Sequence, residues 1–266
     1  MRTFGLIFLA VATSIALGVG GLYAVRVVAS PVWLHANNEV AGNYLQTLGT
    51  IYAVLLAFVV YAVWQQHNEA RDAVESEANE VSGVDRILQG FPDPVRGHVR
   101  DHLRAYVQAV VVEEWSSMIR GGLASRSAER ALEQIYLSLQ AMEPGTPREE
   151  VLFSEALARF NDLANARTHR LLSSRLRLPT SMWVLLVADG SITVASMWLF
   201  GLESFLAQAL MTAALAGSVA FVLYLIADLD NPFWGDWIVT SDPIRAALEQ
   251  RLDPQDQKGA QREAAS

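Results

Sequence analysis

Two histidines and an aspartate at close spacing form the group in this sequence that is most suggestive of metal chemistry. His98, Asp101 and His102 follow an H-x-x-D-H pattern, which places the two imidazoles one turn apart on a helix. That spacing can hold zinc, although a catalytic zinc site also needs a third ligand and an activated water. The apolar stripe through Val99 and Leu103 takes the core face, so we expect a solvent-facing helix surface, with zinc as the weaker alternative.

Three carboxylates surround a short aromatic segment where the last apolar run of the chain ends. Asp228, Asp230 and Asp236 bracket residues 231–235, which contain a proline, a phenylalanine and a tryptophan. Negative charge at the C-terminal end of a helix opposes the helix dipole, so a positive group is expected nearby. The predicted partners are Arg170, Arg175 and Arg177. Calcium is the alternative cation, although the spacing is not that of an EF-hand loop.

Asp189 is a single carboxylate near the middle of the third apolar run. An ionisable group at that depth in a membrane is costly unless it is paired, neutralised or open to water. One interpretation is a protonated or hydrogen-bonded aspartate against Ser191, Thr193 or a hydroxyl of another helix. The other interpretation is exposure to an aqueous cavity or an ion path.

Glu113, Glu114 and Trp115 are consecutive residues late in an amphipathic stretch. Adjacent helical residues point about 100° apart, so the two glutamates cannot act on one substrate atom. We expect Trp115 to pack at the edge of a helical bundle, with docking of a partner as the alternative. The chain has no Walker loop, G-x-S-x-G elbow, G-x-G-x-x-G turn or H-E-x-x-H motif, and no cysteine. The sequence therefore predicts that the protein is not an enzyme.

The composition predicts a membrane protein. Hydrophobic residues make up 52% of the 266 residues and charged residues only 18%, whereas soluble domains carry about 25% charged residues. Residues 65–177 contain 31 of the charged residues, which leaves four long apolar runs elsewhere. The net charge of −8 without a basic stripe argues against nucleic-acid binding, which needs clustered cations.

Four apolar runs predict four transmembrane helices, because about 20 helical residues cross a hydrocarbon core of about 30 Å. The fold class is therefore all-α: two transmembrane hairpins flank an inserted helical bundle. The predicted helices cover residues 4–26, 43–64, 179–201 and 204–227. The predicted domains are 1–64 and 178–228 for the hairpins, 65–177 for the bundle, and 229–266 for an acidic and aromatic segment with a disordered tail.

The first apolar run also has the outline of a secretory signal peptide, because Arg2 precedes it. However, a signal h-region is only about 7–15 residues long and ends at a small-x-small site. This run continues to Val25 without such a site, so we expect the first helix to be retained.

Arginine distribution predicts the orientation. The inserted segment contains 14 arginines. In contrast, no arginine occurs between Glu39 and the end of the second span, and none occurs in residues 201–204, which link the third and fourth spans. Since positive residues favour the cytoplasmic side, both termini and residues 65–177 are expected in the cytoplasm of a plasma (inner) membrane protein.

Four apolar stripes at helical spacing predict a four-helix cytoplasmic bundle. The stripes are Val74, Val81, Val84 and Leu88; Val99, Leu103, Tyr106, Val110 and Val111, closed by Gly121-Gly122; Leu132, Ile135, Leu139 and Met142; and Val151, Phe160, Leu163 and Leu171. The first stripe continues the second span without a break. Residues 253–266 are polar and are expected to be disordered.

Small residues recur every fourth position in two of the spans, where they allow helices to approach closely in lipid. These rows are Gly49, Ala53 and Ala57 in the second span and Ala209, Ala213 and Gly217 in the fourth.

Three stretches carry a family resemblance when they are read together. They are residues 48–58 running into Trp64-Gln65-Gln66, the triplet at 113–115, and residues 229–235. Over about residues 5–250, this order resembles the bestrophin-like family of bacterial membrane proteins, a domain of unknown function. The resemblance implies a bestrophin-like fold and a pentameric anion channel whose second membrane helix lines the pore.

In bestrophins, an acidic segment that follows a Pro-Phe-Gly run binds calcium. In this sequence Trp234 separates Phe233 from Gly235, and only Asp236 follows closely. The resemblance therefore implies a possible calcium site without its continuous acidic run.

One face of the second span is compatible with a pore. The candidates are Thr47, Thr50, Ile51, Val54, Phe58, Tyr61 and Gln65, with Asp189 added from the third span. The face is polar at its ends and apolar at Val54 and Phe58, as a hydrophobic constriction would be. The alternative is that Val54 and Phe58 fill the bundle core.

Two functions follow as hypotheses. The first is a homo-oligomeric, bestrophin-like ion channel in the lipid bilayer. The second is a non-conducting scaffold or sensor whose bundle binds a cytoplasmic protein through Trp115 and the residues near Arg245–Arg251.

Overall fold

Helices account for nearly all of the described chain. The computed structural model describes residues 2–29, 34–35, 38–120 and 124–249, and no strand occurs in these ranges. The helices are α1 Arg2–Val28, α2 Asn38–Leu88, α3 Val95–Ala109, α4 Trp115–Ile119, α5 Arg126–Gln140, α6 Pro147–Ser173, α7 Thr180–Ser196, α8 Phe205–Leu229 and α9 Asp242–Ala247. The predicted all-α fold is confirmed.

Four of these helices, α1, α2, α7 and α8, are long and apolar enough to cross a membrane. In lipid each backbone polar group must be satisfied within the segment, and an α-helix achieves this. Helix α2 is longer than the predicted second span, because it begins at Asn38 and continues to Leu88. No proline separates its apolar run from the amphipathic stretch that follows, so the helix continues without a break. The third ends at Ser196 in a 3-10 turn, Met197–Leu199, earlier than predicted.

The chain divides into two compact units. The membrane unit comprises residues 1–65, 177–231 and 235–237, and the extramembrane unit comprises residues 66–176, 232–234 and the described chain from 238 onwards. The core of the membrane unit lies between α2, α7 and α8, and its buried members are Tyr52, Val59, Val63, Leu186, Ile226 and Leu229.

Small residues bring α1 and α8 together in the membrane unit. A Cβ atom on Gly18 would lie 3.2 Å from the Ala216 Cβ, and one on Gly217 would lie 3.4 Å from the Ile15 Cδ1. The Ser14 hydroxyl donates a hydrogen bond to the Ala216 carbonyl at 3.0 Å. Close helix approach at the Gly217 end of the predicted row therefore occurs as expected.

The small row of the second span does not pack within the chain. No atom lies within 4 Å of a Cβ built on Gly49, and both Ala53 and Ala57 are exposed. The prediction that this row packs against a neighbouring helix is therefore wrong for the single chain. The larger side chains Val59 and Val63 make the core contacts of α2 instead.

The extramembrane unit buries its apolar stripes in one core. This core joins the second half of α2 to α3, α5 and α6, and it includes Val81, Leu103, Ile135 and Leu163. Helix starts are capped as their sequences require: the Ser125 hydroxyl accepts from the Ser127 amide, and the Thr146 hydroxyl accepts from the Glu149 amide.

The predicted stripes lie on the buried sides of their helices with one exception. Val151 is 69% exposed near the start of α6, so its assignment to the core is wrong. It lies within the first turns of α6, before Ala156 and Phe160 enter the core. Gly121-Gly122 and residues 253–266, predicted as a helix end and a disordered tail, lie outside the described residues.

Candidate functional site

The candidate pore face of α2 is uncovered along its whole length. All seven residues are exposed: Thr47, Thr50, Ile51, Val54, Phe58, Tyr61 and Gln65. Val54 is 51% exposed and Phe58 is 70% exposed. The alternative prediction that these two side chains fill the bundle core is therefore wrong.

The opposite side of the same helix explains this exposure. Tyr52, Val59 and Val63 are at most 4% exposed and lie about half a helical turn away from the candidate pore face. Helix α2 therefore makes its largest apolar contacts with α7 and α8, and the seven side chains of the candidate pore face remain exposed in the part of the chain that the structure describes. At one end of that face, two threonine hydroxyls donate hydrogen bonds to backbone carbonyls of the preceding helical turn. Thr47 donates to the Asn43 carbonyl, and Thr50 donates to the Gln46 carbonyl.

Asp189 lies near Tyr52, on the core side of α2. Asp189 is half-buried and directly precedes Gly190, where a Cβ atom would lie 2.6 Å from the Tyr52 hydroxyl oxygen. The predicted hydroxyl partners are used differently: Ser191 donates to the Val187 carbonyl at 2.6 Å, and Thr193 makes no hydrogen bond among the described residues. The structure thus places Asp189 apart from the seven side chains of the exposed face.

Asp228, near the end of α8, holds the segment that follows this helix through two hydrogen bonds. Its Oδ1 accepts a hydrogen bond from the Asp236 amide at 2.9 Å, and its Oδ2 accepts one from the Trp237 amide at 3.0 Å. Gly235 directly precedes Asp236 and has a φ of +132°, and a Cβ atom there would clash with Asp228 Oδ1. Only glycine fits this left-handed position beside the carboxylate. The Trp237 ring in turn packs edge-to-face on Trp64 of α2, with centroids 6.0 Å apart.

Asp230 and Asn231 bind the start of the third span. The Asp230 Oδ1 accepts from the Leu178 amide at 2.7 Å, and the Arg177 guanidinium donates to the Asn231 Oδ1 at 2.8 Å. Of the three predicted arginine partners, Arg177 is the one that lies at this cluster. The prediction is wrong for Arg170, which is buried in an ion-pair network of the extramembrane unit.

The three aspartates do not fit a calcium ion. Calcium takes 6–8 oxygen ligands at about 2.3–2.6 Å. Both carboxylate oxygens of Asp228 already accept backbone N–H groups, and one oxygen of Asp230 does so too. Asp236 is exposed and accepts a long bond of 3.4 Å from the Tyr224 hydroxyl. The cluster is built to receive N–H donors rather than a cation.

A buried ion-pair network, which the sequence did not predict, lies at the centre of the extramembrane unit. Arg170 is fully buried and donates from Nε to Glu77 Oε2 at 2.5 Å and from Nη2 to Glu114 Oε1 at 2.7 Å. Arg167 donates to Glu114 Oε2 at 2.8 Å and to Glu129 at 2.7 Å. The Tyr106 hydroxyl completes the network by donating to Glu77 at 2.5 Å.

These contacts determine the ionisation of the network. Burial alone would raise the pKa of the Glu114 carboxyl, but hydrogen bonds and positive charge from Arg167 and Arg170 outweigh burial and hold that pKa below its ordinary value. Burial and the negative charge of Glu77 raise the pKa of the Tyr106 hydroxyl well above its ordinary value. The network therefore favours the charged forms of Glu114, Arg167 and Arg170 and the neutral form of Tyr106.

A π-helical turn, Val110–Glu114, places the two consecutive glutamates. Glu114 points into the network, whereas Glu113 accepts from the Ser125 hydroxyl at 2.9 Å and from the Ser127 hydroxyl at the start of α5. The two carboxylates thus point in different directions, as predicted, although Ser125 contacts both: its amide donates to Glu114 at 2.8 Å and its hydroxyl donates to Glu113. A π turn inserts one extra residue into a helix and often marks a specialised position.

Trp115 belongs to the core. It is 8% exposed, its ring lies 5.6 Å from the Arg170 guanidinium, and it packs edge-to-face on Phe233 at 5.5 Å. The structure therefore supports the interpretation that Trp115 is a packing residue. The second contact candidate, Arg245–Arg251, extends beyond the described residues.

The histidine pair faces outward. His98 is exposed, His102 is half-buried, and Asp101 forms an ion pair with Arg104 at 3.2 Å. In the ranges that the structure describes, no three histidine, aspartate or glutamate side chains are grouped as metal ligands.

One signal in the sequence could have revealed the network. Arg167 and Arg170 occur at the three- and four-residue spacing that follows Phe160 and Leu163, so they occupy core positions of α6. Arginine at such a position is rarely buried unless it is paired. Nothing local, however, identifies Glu77 and Glu114 as its partners, since these lie 93 and 56 residues away.

Comparisons with known proteins agree with this architecture. Two crystal structures of variants of a bacterial bestrophin homolog from Klebsiella pneumoniae superpose on the chain with TM-scores of 0.68 and 0.70 at 14% sequence identity. The first alignment covers 91% of this chain and 98% of the homolog, and the second covers 95% and 99%. At this identity the similarity establishes the fold. No curated protein sequence matches the chain.

The Bestrophin-like domain family matches residues 12–244, which include most of the first membrane-length helix, the other three in full and the bundle between them. With this match over most of its length and the shared fold, the chain belongs to the Bestrophin-like family of membrane proteins.

Proposed function

We propose that the chain forms an oligomeric ion channel in which the exposed face of α2 lines the ion path. The observation that carries this proposal is the uncovered face from Thr47 to Gln65, which lies opposite a well-packed core face. A surface made only for lipid would be apolar throughout. This face has hydroxyl and amide groups at its ends and large apolar side chains, Val54 and Phe58, between them.

The pore requires several copies of the chain. A four-helix membrane unit packs around side chains and leaves no lumen, whereas copies around an axis can place one face of α2 towards a common path. Membership of the Bestrophin-like family supports this arrangement. We propose a homo-oligomer in the plasma (inner) membrane, with five subunits as the resemblance to bestrophins implies. Both termini and the extramembrane unit face the cytoplasm.

Cysteine accessibility tests the proposal on a clean background, because the chain contains no native cysteine. The purified Val54→Cys and Phe58→Cys proteins are reconstituted in planar bilayers and exposed to a charged, membrane-impermeant methanethiosulfonate reagent. We expect current before exposure and its loss afterwards, since the added charge occupies the ion path. The matched control is Leu210→Cys on α8, which is 63% exposed and does not lie on the proposed path.

Several outcomes would contradict the proposal. One is the absence of current from protein that is oligomeric and folded. Another is current that responds equally to modification at residues 54, 58 and 210. A chain that stays monomeric in lipid nanodiscs would also contradict it.

A further inference from the structure

Two buried hydroxyl groups in the membrane unit have no hydrogen-bond partner among the described residues. Tyr52 on α2 and Thr193 on α7 are each 3% exposed, and both hydroxyl oxygens are without a partner. Lipid hydrocarbon offers no replacement donor or acceptor, so such groups are costly in a membrane. In proteins, polar positions of this kind are usually completed by an ordered water or an ion.

Thr193 differs in this respect from the serines of the same helix. Ser191 donates to the Val187 carbonyl at 2.6 Å, and Ser196 donates to the Ile192 carbonyl at 2.8 Å. This bond to the preceding turn is the ordinary solution for a hydroxyl in a membrane helix. Thr193 does not use it, although the same type of acceptor lies one turn before it.

Gly190 brings the Tyr52 hydroxyl onto the surface of α7. A Cβ atom on Gly190 would lie 2.6 Å from the Tyr52 oxygen, so only glycine leaves room for the hydroxyl. Asp189 precedes this notch, and Thr193 follows it by one turn. Cβ atoms three or four residues apart on a helix are about 5–6 Å apart. The Tyr52 hydroxyl therefore meets α7 at Gly190, which Asp189 directly precedes and Thr193 follows by one turn.

Charge balance identifies the type of ligand. Asp189 is half-buried in the membrane unit and directly precedes Gly190, which the Tyr52 hydroxyl contacts. A monovalent cation would neutralise the carboxylate, whereas a divalent cation or an anion would leave net charge in a medium of low dielectric constant. A protonated carboxyl group has a single hydrogen to donate and could reach only one of the two hydroxyl oxygens, whereas a cation can be coordinated by both. Oxygen ligands suit hard cations.

We propose that Asp189, Tyr52 and Thr193 form an intramembrane site for a monovalent alkali cation, seated at the Gly190 notch. The site lies on the core side of α2, about half a helical turn away from the exposed face that carries Val54 and Phe58. It is therefore separate from the proposed ion path. A cation there stabilises the contact between α2 and α7 whether or not the protein conducts.

Thermal unfolding in lipid nanodiscs tests the site without any measurement of current. The melting temperature is recorded in NaCl, in KCl and in N-methyl-D-glucamine chloride at equal ionic strength. A cation at about 100 times its Kd should raise Tm by about 5 °C or more for a chain of this size. We expect that rise with sodium or potassium for the native protein, and its loss in Asp189→Asn. Tyr52→Phe and Thr193→Val should reduce it.

Matched variants separate the site from general effects of salt. Tyr44→Phe also removes a tyrosine hydroxyl from α2, but Tyr44 is 52% exposed and lies outside the proposed ion path, so the rise should persist. If Asp189→Asn fails to fold, Thr193→Val against Thr193→Ser gives the same comparison, because serine keeps the hydroxyl. Equal Tm values in all three salts for the native protein would overturn the proposal. A rise that survives in both Tyr52→Phe and Thr193→Val would overturn it as well.

Discussion

Arg170 and Glu77 form a fully buried double contact, with Nε to Oε2 at 2.5 Å and Nη2 to Oε1 at 3.1 Å. The two residues are 93 positions apart, on α6 and α2, and both side chains are completely inaccessible to solvent. A buried ion pair adds little stability over an apolar core, but removal of one partner leaves a charge without compensation. The pair therefore makes the packing of α2 against α6 specific.

Arg170→Met is expected to lower the free energy of unfolding by about 3–5 kcal/mol, because Glu77 would remain buried without a counter-charge. Denaturant unfolding of the purified protein, followed by tryptophan fluorescence, measures the change. Arg159→Met is the control, since Arg159 is itself 42% exposed and pairs with Glu155 and Glu80. Ion pairs of solvent-exposed side chains contribute at most about 1 kcal/mol. Equal losses in the two variants would contradict the proposed role.

Acid should weaken the extramembrane unit through Glu114. The folded pKa of Glu114 lies below its ordinary value of 4.5, so the unfolded chain binds a proton at higher pH than the folded chain does. The stability that the ion pairs contribute is complete above that ordinary value and is lost as the pH falls through the lower folded pKa. Melting temperatures at decreasing pH measure the slope, which should flatten in Glu114→Gln. An unchanged slope in that variant would count against this assignment.

Asp228→Ala should lower the free energy of unfolding by about 2 kcal/mol, because the amides of Asp236 and Trp237 would lose their acceptor. Chemical unfolding provides the measurement. Asp236→Ala is the matched control, since Asp236 is exposed and its bond to Tyr224 is long. We expect little change in the control, and a similar loss in both variants would show that the contacts of Asp228 are not the cause.

Calcium should leave this segment unaffected. The melting temperature of the native protein should be the same in calcium chloride and in a chelator, because N–H groups already occupy both Asp228 oxygens and one Asp230 oxygen. A calcium-dependent rise that disappears in Asp228→Asn would contradict this reading of the cluster.

Phe58→Ala should raise single-channel conductance by about twofold or more, because it removes the largest apolar side chain of the proposed constriction. Recordings from reconstituted protein in planar bilayers test this. The control is Phe221→Ala on α8, which removes a phenylalanine that is 52% exposed and lies off the proposed path. An increase of the same size in both variants would indicate a general loosening of the membrane unit.

Much of the fold could be predicted from local patterns. Apolar runs of about 20 residues identify the spans, because the bilayer sets the required length. Residues such as Val81, Leu103 and Ile135 identify the buried sides of the bundle helices through their 3.6-residue spacing. The exposed face of α2 was also predicted, because its polar ends and apolar middle can be read from one helix.

Pairings between helices could not be read in the same way. Periodicity says which side of a helix is buried but not which residue of another helix it meets. Arg170 was therefore assigned to the carboxylates of residues 228–236, although it binds Glu77 and Glu114. For the same reason Gly49 was assigned to a helix contact that the chain does not make, while Gly190 was overlooked although it receives the Tyr52 hydroxyl.

The sequence alone thus determined that this protein is helical, crosses a membrane and carries a polar bundle between two hairpins, because span length and helical period are local properties of the chain. Tertiary structure decided which charges meet in the bundle, which carboxylate closes the segment after α8 and which face of α2 stays uncovered. These depend on contacts between residues far apart in sequence, and the free energy of a buried charge or hydroxyl is determined by the partner it meets.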